Sequence, residues 1–170
     1  ADPVGEIYSL EFSPDGTKLL SGSRKRNVII SEVSTGRTYA SLDSGNTHYR
    51  AVFSPDGKKI ASADKDGTNR LWDVGLTAIE KTLSGHEAAV KLLCFSPDNR
   101  MLASAADDNT VRVWDLATGQ ELKRIGSDPV KRLIFAPDGK RLVTVSFDGT
   151  VVLWDTNSMQ EVVTLRRGGR

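Results

Sequence analysis

The sequence predicts an all-β chain made of four copies of one four-stranded antiparallel sheet. Three observations carry this. First, one phrase returns four times, as Phe12-Ser-Pro-Asp-Gly16, Phe53-Ser-Pro-Asp-Gly57, Phe95-Ser-Pro-Asp-Asn99 and Phe135-Ala-Pro-Asp-Gly139, at steps of 41, 42 and 40 residues. A period of that size marks a supersecondary unit repeated along the chain. Second, a Trp-Asp pair stands at matching distance behind three of the phrases, as Trp72-Asp73, Trp114-Asp115 and Trp154-Asp155, while Ser31-Glu32 fills the remaining slot. Third, short apolar runs alternate with turn residues throughout, and no segment shows a helical period.

The third repeat displays the unit most clearly. Val90 to Phe95 is a buried strand and Ser96-Pro97-Asp98-Asn99 its turn; Met101 to Ala105 is a second strand. Asp108-Asn109 closes a hairpin, Thr110 to Trp114 alternates apolar and polar positions, and Gln120 to Ile125 is a fourth, outer strand. Asp66-Gly67 and Asp148-Gly149 occupy the same hairpin slot, where a two-residue primed turn asks for positive φ and therefore prefers Asp, Asn and Gly.

A sheet of this size has two apolar faces and must stack on a neighbour to bury them. The period, the four strands per repeat and the Trp-Asp pairs resemble the WD40 family of β-propellers, in which each repeat forms one radial blade. The resemblance covers essentially the whole chain, with blade one at about 4–43, blade two at 44–84, blade three at 85–126, blade four at 127–166 and a tail at 167–170. It implies a hydrogen-bonded tetrad bracing each blade, and blade three carries all four members as His86, Ser104, Asp108 and Trp114. Blade two keeps Ser62, Asp66 and Trp72, and blade four keeps Thr144, Asp148 and Trp154, both without the His. Blade one retains Ser21 but has Lys25 and Ser31 in place of the Asp and Trp, so its bracing is expected to be weakest. The tetrad is structural, a buried indole and imidazole satisfied by neighbours.

The formal net charge of +1 gives no bulk attraction to nucleic acid or membrane, so neither is an expected partner. No apolar run is long enough to span a bilayer as a helix. The lone Cys94, in the apolar run Leu92-Leu93-Cys94-Phe95, excludes an intrachain disulfide and reads as a packed small hydrophobe; a cytoplasmic origin is the expectation. The sequence begins at Ala1 without Met, so Ala1-Asp2-Pro3 reads as a cloning remnant or the edge of a longer protein.

Blades of this family close rings of about six to eight, so four should form an open half-ring with one face of blade one and one face of blade four in water. Two copies about a two-fold axis would close an eight-bladed homodimer. The alternatives are a piece of a longer propeller and a closed four-bladed ring.

The resemblance implies an interaction platform without chemistry of its own, binding a protein or peptide on the face that carries the hairpins between second and third strands. The family's contact positions are the residue four before each motif Phe, here Tyr8, Tyr49, Lys91 and Lys131, and the residue before each hairpin Asp, here Arg24, Lys65, Asp107 and Phe147. Aromatics and cations on one rim suit a binding patch. The Arg24-Lys25-Arg26 hairpin suits an acidic or phosphorylated segment, though a solvated turn explains it equally. An enzyme is the rival class, and the residues argue against it. There is no Gly-x-Ser-x-Gly elbow, no phosphate-binding glycine loop and no paired metal ligands, so no catalytic residue, metal or cofactor is expected. His48 and His86 occupy different positions of their repeats, and Asp15, Asp56, Asp98 and Asp138 recur as turn formers. A third reading makes assembly itself the function, with open end faces templating further blades.

Overall fold

The computed structural model describes residues 6–23 and 27–166, so the Arg24-Lys25-Arg26 hairpin and the tail at 167–170 lie outside the described residues. Blade one consists of β1 (Ile7–Phe12), β2 (Lys18–Ser23), β3 (Asn27–Glu32) and β4 (Thr38–Asp43). Blade two is β5 (His48–Phe53), β6 (Lys59–Asp64), β7 (Thr68–Asp73) and β8 (Ala78–Ser84). Blade three is β9 (Val90–Phe95), β10 (Met101–Ala106), β11 (Thr110–Asp115) and β12 (Glu121–Gly126), its last strand displaced by one residue from the sequence expectation. Blade four is β13 (Val130–Phe135), β14 (Arg141–Ser146), β15 (Thr150–Asp155) and β16 (Glu161–Arg166). Each blade is a separate antiparallel meander in chain order, and the first strands of neighbouring blades adjoin at the inside of the arc.

The recurring phrase is a turn whose every residue has a task. Ser13 accepts the Lys18 N–H at 2.9 Å and donates its hydroxyl to Asp15 Oδ1 at 2.6 Å, and Asp15 accepts the Thr17 N–H at 3.0 Å. Gly16 closes the turn at φ +71°, a left-handed conformation that glycine adopts at low cost. Blade two repeats this with Ser54, Asp56 and Gly57, and blade three with Ser96, Asp98 and Asn99 at φ +61°. The Asp of each Trp-Asp pair caps the next turn, as where Asp115 accepts the Thr118 N–H at 2.7 Å.

The hairpins between second and third strands depart from the two-residue primed turn. In the three described hairpins, Gly67, Asn109 and Gly149 have positive φ, whereas Asp66, Asp108 and Asp148 do not. The Gly67 N–H returns to Asp64 O and the Asn109 N–H to Ala106 O, the pattern of a three-residue loop with a left-handed last residue. Asp is selected there for its side chain instead: Asp66, Asp108 and Asp148 each accept the N–H of the Thr two residues on, at 2.9–3.0 Å.

Cross-strand pairing shows which face each residue occupies. The row Phe53, Ile60, Trp72 lies on the face of blade two that packs on Leu20, Val28, Ile30 and Leu42 of blade one. Likewise Phe95, Leu102 and Trp114 pack on Ala61, Ala63 and Leu71 of blade two, and Phe135, Leu142 and Trp154 on Ala103, Ala105 and Val113 of blade three. Every Trp therefore fills the joint with the preceding blade, where replacing it by Ala would cost about 3–5 kcal/mol. Two hydrogen bonds add to the first joint: the Ala51 N–H donates to Ser9 Oγ at 3.1 Å and the Phe53 N–H to Glu11 Oε2 at 2.7 Å.

Among the described residues no core cluster joins blade four to blade one. Among the described residues the Phe12, Leu19, Ser31 row of blade one and the Val143, Leu153, Val163 row of blade four belong to no core cluster shared with another blade. Leu10 and Phe12 are 62% and 60% exposed, and Ile134 and Leu165 are 59% and 54% exposed, although their counterparts between blades are packed.

Candidate rim interface

Each inner strand pairs with the second strand of its blade until one residue drops out of register near its start. That residue is Tyr8 in β1, Tyr49 in β5, Lys91 in β9 and Lys131 in β13. The four rim candidates are thus the extra residues of four β-bulges. A bulge leaves its residue unpaired in the ladder and re-aims the side chain, which is how one position per blade is turned toward the rim. The bulge breaks the apolar alternation of β9, where Val90, Leu93 and Phe95 share one core cluster although Val90 stands three residues and not two before Leu93.

The second set sits beside them. Lys65, Asp107 and Phe147 open the second-to-third-strand hairpins, and each donates its N–H to the loop preceding its own inner strand: Lys65 to Thr47 O at 2.9 Å, Asp107 to Ala89 O at 3.0 Å and Phe147 to Pro129 O at 3.1 Å. Arg24 lies outside the described residues.

Side chains from three blades meet along the rim. The Tyr8 and Tyr49 rings lie 5.7 Å apart at 51°, and Lys91 Nζ stands 3.3 Å from the centroid of Tyr49. Lys91 also reaches Asp107 Oδ2 at 3.4 Å. This orders Tyr49 between an aromatic and a cation, at a modest electrostatic gain for an exposed site. Between blades three and four lies a groove of about 430 Å³ whose walls include Lys91, Asp107, Pro129, Lys131 and Phe147. Phe147 is 72% exposed at its edge. Lys65 is exposed and not part of the Tyr8, Tyr49, Lys91 contact chain.

Behind this rim two buried networks hold the hairpins. In blade three, Trp114 Nε1–H donates to Ser104 Oγ at 2.8 Å, Ser104 Oγ is 2.8 Å from His86 Nε2, and His86 Nδ1 is 3.0 Å from Asp108 Oδ2. Indole only donates and carboxylate only accepts, so the tautomer follows: Nδ1–H donates to Asp108, and Nε2 accepts the Ser104 hydroxyl. Burial pushes the His86 pKa below its ordinary value despite Asp108; Asp108, which desolvation would raise, is held down at about 2 by the Glu87 N–H, the Thr110 hydroxyl and His86. Gly85 precedes His86 because a Cβ there would stand 2.5 Å from Arg112 and 3.1 Å from Trp114. Blades two and four keep only the Trp-to-hydroxyl link, Trp72 to Ser62 and Trp154 to Thr144, both at 3.1 Å.

Blade two braces its hairpin differently, and sequence reasoning missed it. His48, fully buried at the start of β5, bonds Asp64, which also receives Arg70; Arg70 in turn reaches Asp66 at 3.0 Å. The signal was present in the repeat: Asp64 stands where the other blades have Ser23, Ala106 and Ser146, and His48 where they have Ile7, Val90 and Val130. Cys94 is half-buried between blades three and four, and its apolar surroundings raise the thiol pKa to about 12. No group of three or more metal-ligating side chains occurs among the described residues.

The comparisons with known proteins agree with this architecture. The chain matches the WD domain, G-beta repeat family at residues 3–30, 41–73, 78–115 and 119–155. It is 32% identical to WD repeat-containing protein 1 of Gallus gallus over 88 residues, 49% of this chain and 14% of that protein. It is 34% identical to pre-mRNA-processing factor 19 of Mus musculus over 87 residues, 49% of this chain and 17% of that protein. Nuclear distribution protein PAC1 of Arthroderma otae is 36% identical over 75 residues, 42% of this chain and 16% of that protein. The matched segments thus span less than a fifth of the length of these relatives. With four matched repeats, one per blade and each Trp set in the joint with the blade before it, the chain belongs to the WD40, G-beta repeat family.

Proposed function

We propose that the chain is a non-catalytic protein-interaction scaffold that holds a partner protein or peptide on the rim formed by Tyr8, Tyr49, Lys91, Asp107, Lys131 and Phe147, with Lys65 exposed beside it; Arg24, the remaining candidate, lies outside the described residues. The observation that carries this is the bulge at the same place in all four inner strands, which turns one side chain per blade to the same rim beside an exposed Phe147. Exposed aromatics next to cations are the composition of interface anchors. A partner segment with acidic residues fits best, because Lys65, Lys91 and Lys131 outnumber the rim carboxylates of Asp107, which pairs with Lys91, and Glu6, which accepts the Tyr8 hydroxyl at 3.0 Å. Family membership supports the scaffold class, and the packed thiol of Cys94 suits a reducing compartment such as the cytoplasm.

Peptides selected from a displayed random library on the wild-type chain would be titrated against Tyr49→Ala and Phe147→Ala. Loss of about tenfold or more in affinity with unchanged melting supports the rim. Unchanged affinity for both variants overturns it.

The open faces of blades one and four call for cover, and a second copy completing an eight-bladed ring is the arrangement proposed. Four six-residue strands present roughly 20 by 19 Å, ~380 Å² of sheet. Two such faces per chain approach the ~800 Å² per partner of a standard stable interface. Light scattering should give twice the 18.5 kDa of one chain, and a monodisperse 18.5 kDa species overturns it.

A further inference from the structure

Resting on that dimer reading, we infer that the open face of blade four is shaped for the Trp-less face of blade one of a second copy, not for an ordinary blade of this repeat. The argument is one of side-chain volume across the joints. Where a blade presents Trp to the blade before it, the receiving face is small in its second strand: Ala61 and Ala63 lie in the cluster with Trp114, and Ala103 and Ala105 in the cluster with Trp154. Blade one carries Leu20, in the cluster with Trp72, and Gly22 at these positions, about two more carbons than an Ala pair and about two fewer than a Val pair. At the same two positions blade four has Val143 and Val145, about four more carbons than an Ala pair. In its fourth strand Val163 is smaller than the Lys81 and Lys123 of blades two and three but apolar where they carry charge, so this face of blade four gains apolar character there and bulk only at Val143 and Val145.

Joints in protein interiors are close-packed, so extra bulk on one face demands missing bulk on the other. The missing bulk is in this chain. Blade one presents Phe12 and Leu19 as the other blades present Phe53 and Ile60, but Ser31 replaces the indole, leaving about eight fewer side-chain atoms. Ser31 is half-buried and Phe12 and Leu10 are largely exposed, so among the described residues no side chain takes the place of the indole. The pairing also continues the three joints already present, each of which sets the Phe and Trp row of one blade against the second and third strands of the blade before.

The test exchanges bulk between the faces. Ser31→Trp restores the residue the other blades hold and should fold; its homodimer sets Trp against two valines at both joints. Val143→Ala/Val145→Ala leaves a void at both joints. Each homodimer is expected to weaken by about tenfold or more on dilution. Mixed one to one, the two variants form a heterodimer with one joint of Trp against two alanines and one unchanged joint. Native mass spectrometry should show that heterodimer well above the statistical half of the population. A dimeric wild type with statistical mixing overturns the volume match while leaving the dimer intact. A wild type that stays monomeric at about 100 μM overturns the second copy and with it this pairing.

Discussion

Asn69 offers the sharpest test of how the joints are built. It lies in β7, fully buried, on the face of blade two that packs on blade three, and neither its amide nitrogen nor its amide oxygen has a hydrogen-bond partner. The cross-strand register places it where the other blades carry Val28, Val111 and Val151. Burying a primary amide without partners costs about 1–3 kcal/mol on mutational scales. Asn69→Val removes that cost, favours the strand by its branching, and leaves a void of at most about one atom, worth less than ~1 kcal/mol. The expected result is a net gain of about 1–2 kcal/mol, an upward shift of roughly 2–8 °C in melting temperature for a chain of this length. Urea unfolding is the assay, read as a rise in midpoint at constant slope. The reverse change, Val111→Asn in blade three, should lose a similar amount. A lower midpoint for Asn69→Val would refute the reasoning, because it would mean the amide is satisfied within the joint.

Two further outcomes follow from the buried networks. Ser104→Ala deprives both Trp114 Nε1 and His86 Nε2 of their partner, whereas Ser62→Ala deprives only Trp72, so the blade-three change should cost about 2–4 kcal/mol and the blade-two change about 1–2; equal losses would show that the tetrad does not act as a unit. Acidification should lower the urea midpoint in two stages. His86 has its folded pKa below the ordinary 6.5, so the unfolded chain takes the proton first and stability falls as the pH drops below about 6.5. Seven lowered aspartates, among them Asp15 and Asp108 at about 2, then cost stability as the pH falls from 3.8 toward those values; Glu11, raised chiefly by burial, acts in the opposite sense alone. His86→Gln should flatten the decline between pH 7 and 5, and a midpoint that rose over that range would contradict the lowered folded pKa of His86.

Much of the rim was legible because a repeat aligns its own positions. The family resemblance, applied at a fixed distance from each motif Phe, nominated Tyr8, Tyr49, Lys91 and Lys131 without any view of their surroundings. What it could not supply was their relation to one another. That Tyr49 stacks between Tyr8 and Lys91 depends on three blades being held side by side, and sequence distance carries no trace of it. The His48, Asp64, Arg70 network was missed for a related reason: the expected His position of blade two was empty, and the replacement comes from a different strand position. The hairpin Asp residues were assigned the right place and the wrong cause, since backbone conformation and side-chain capping favour the same residue types there.

The sequence by itself determined the strands, the turns and the number of blades, because these follow from local pattern: apolar runs of strand length, Asp and Gly where a turn needs them, and a period near 40 that repeats both. The tertiary structure decided which face of each blade meets its neighbour, where the bulges fall, and that among the described residues no core cluster joins blade four to blade one. Those outcomes depend on how four twisted sheets stack around an axis and on the fit of Trp72, Trp114 and Trp154 into the blade before, with Ser31 leaving its place unfilled. Packing across a joint is set by volumes contributed from residues some 40 positions apart, and no local reading of either contributor contains the fit.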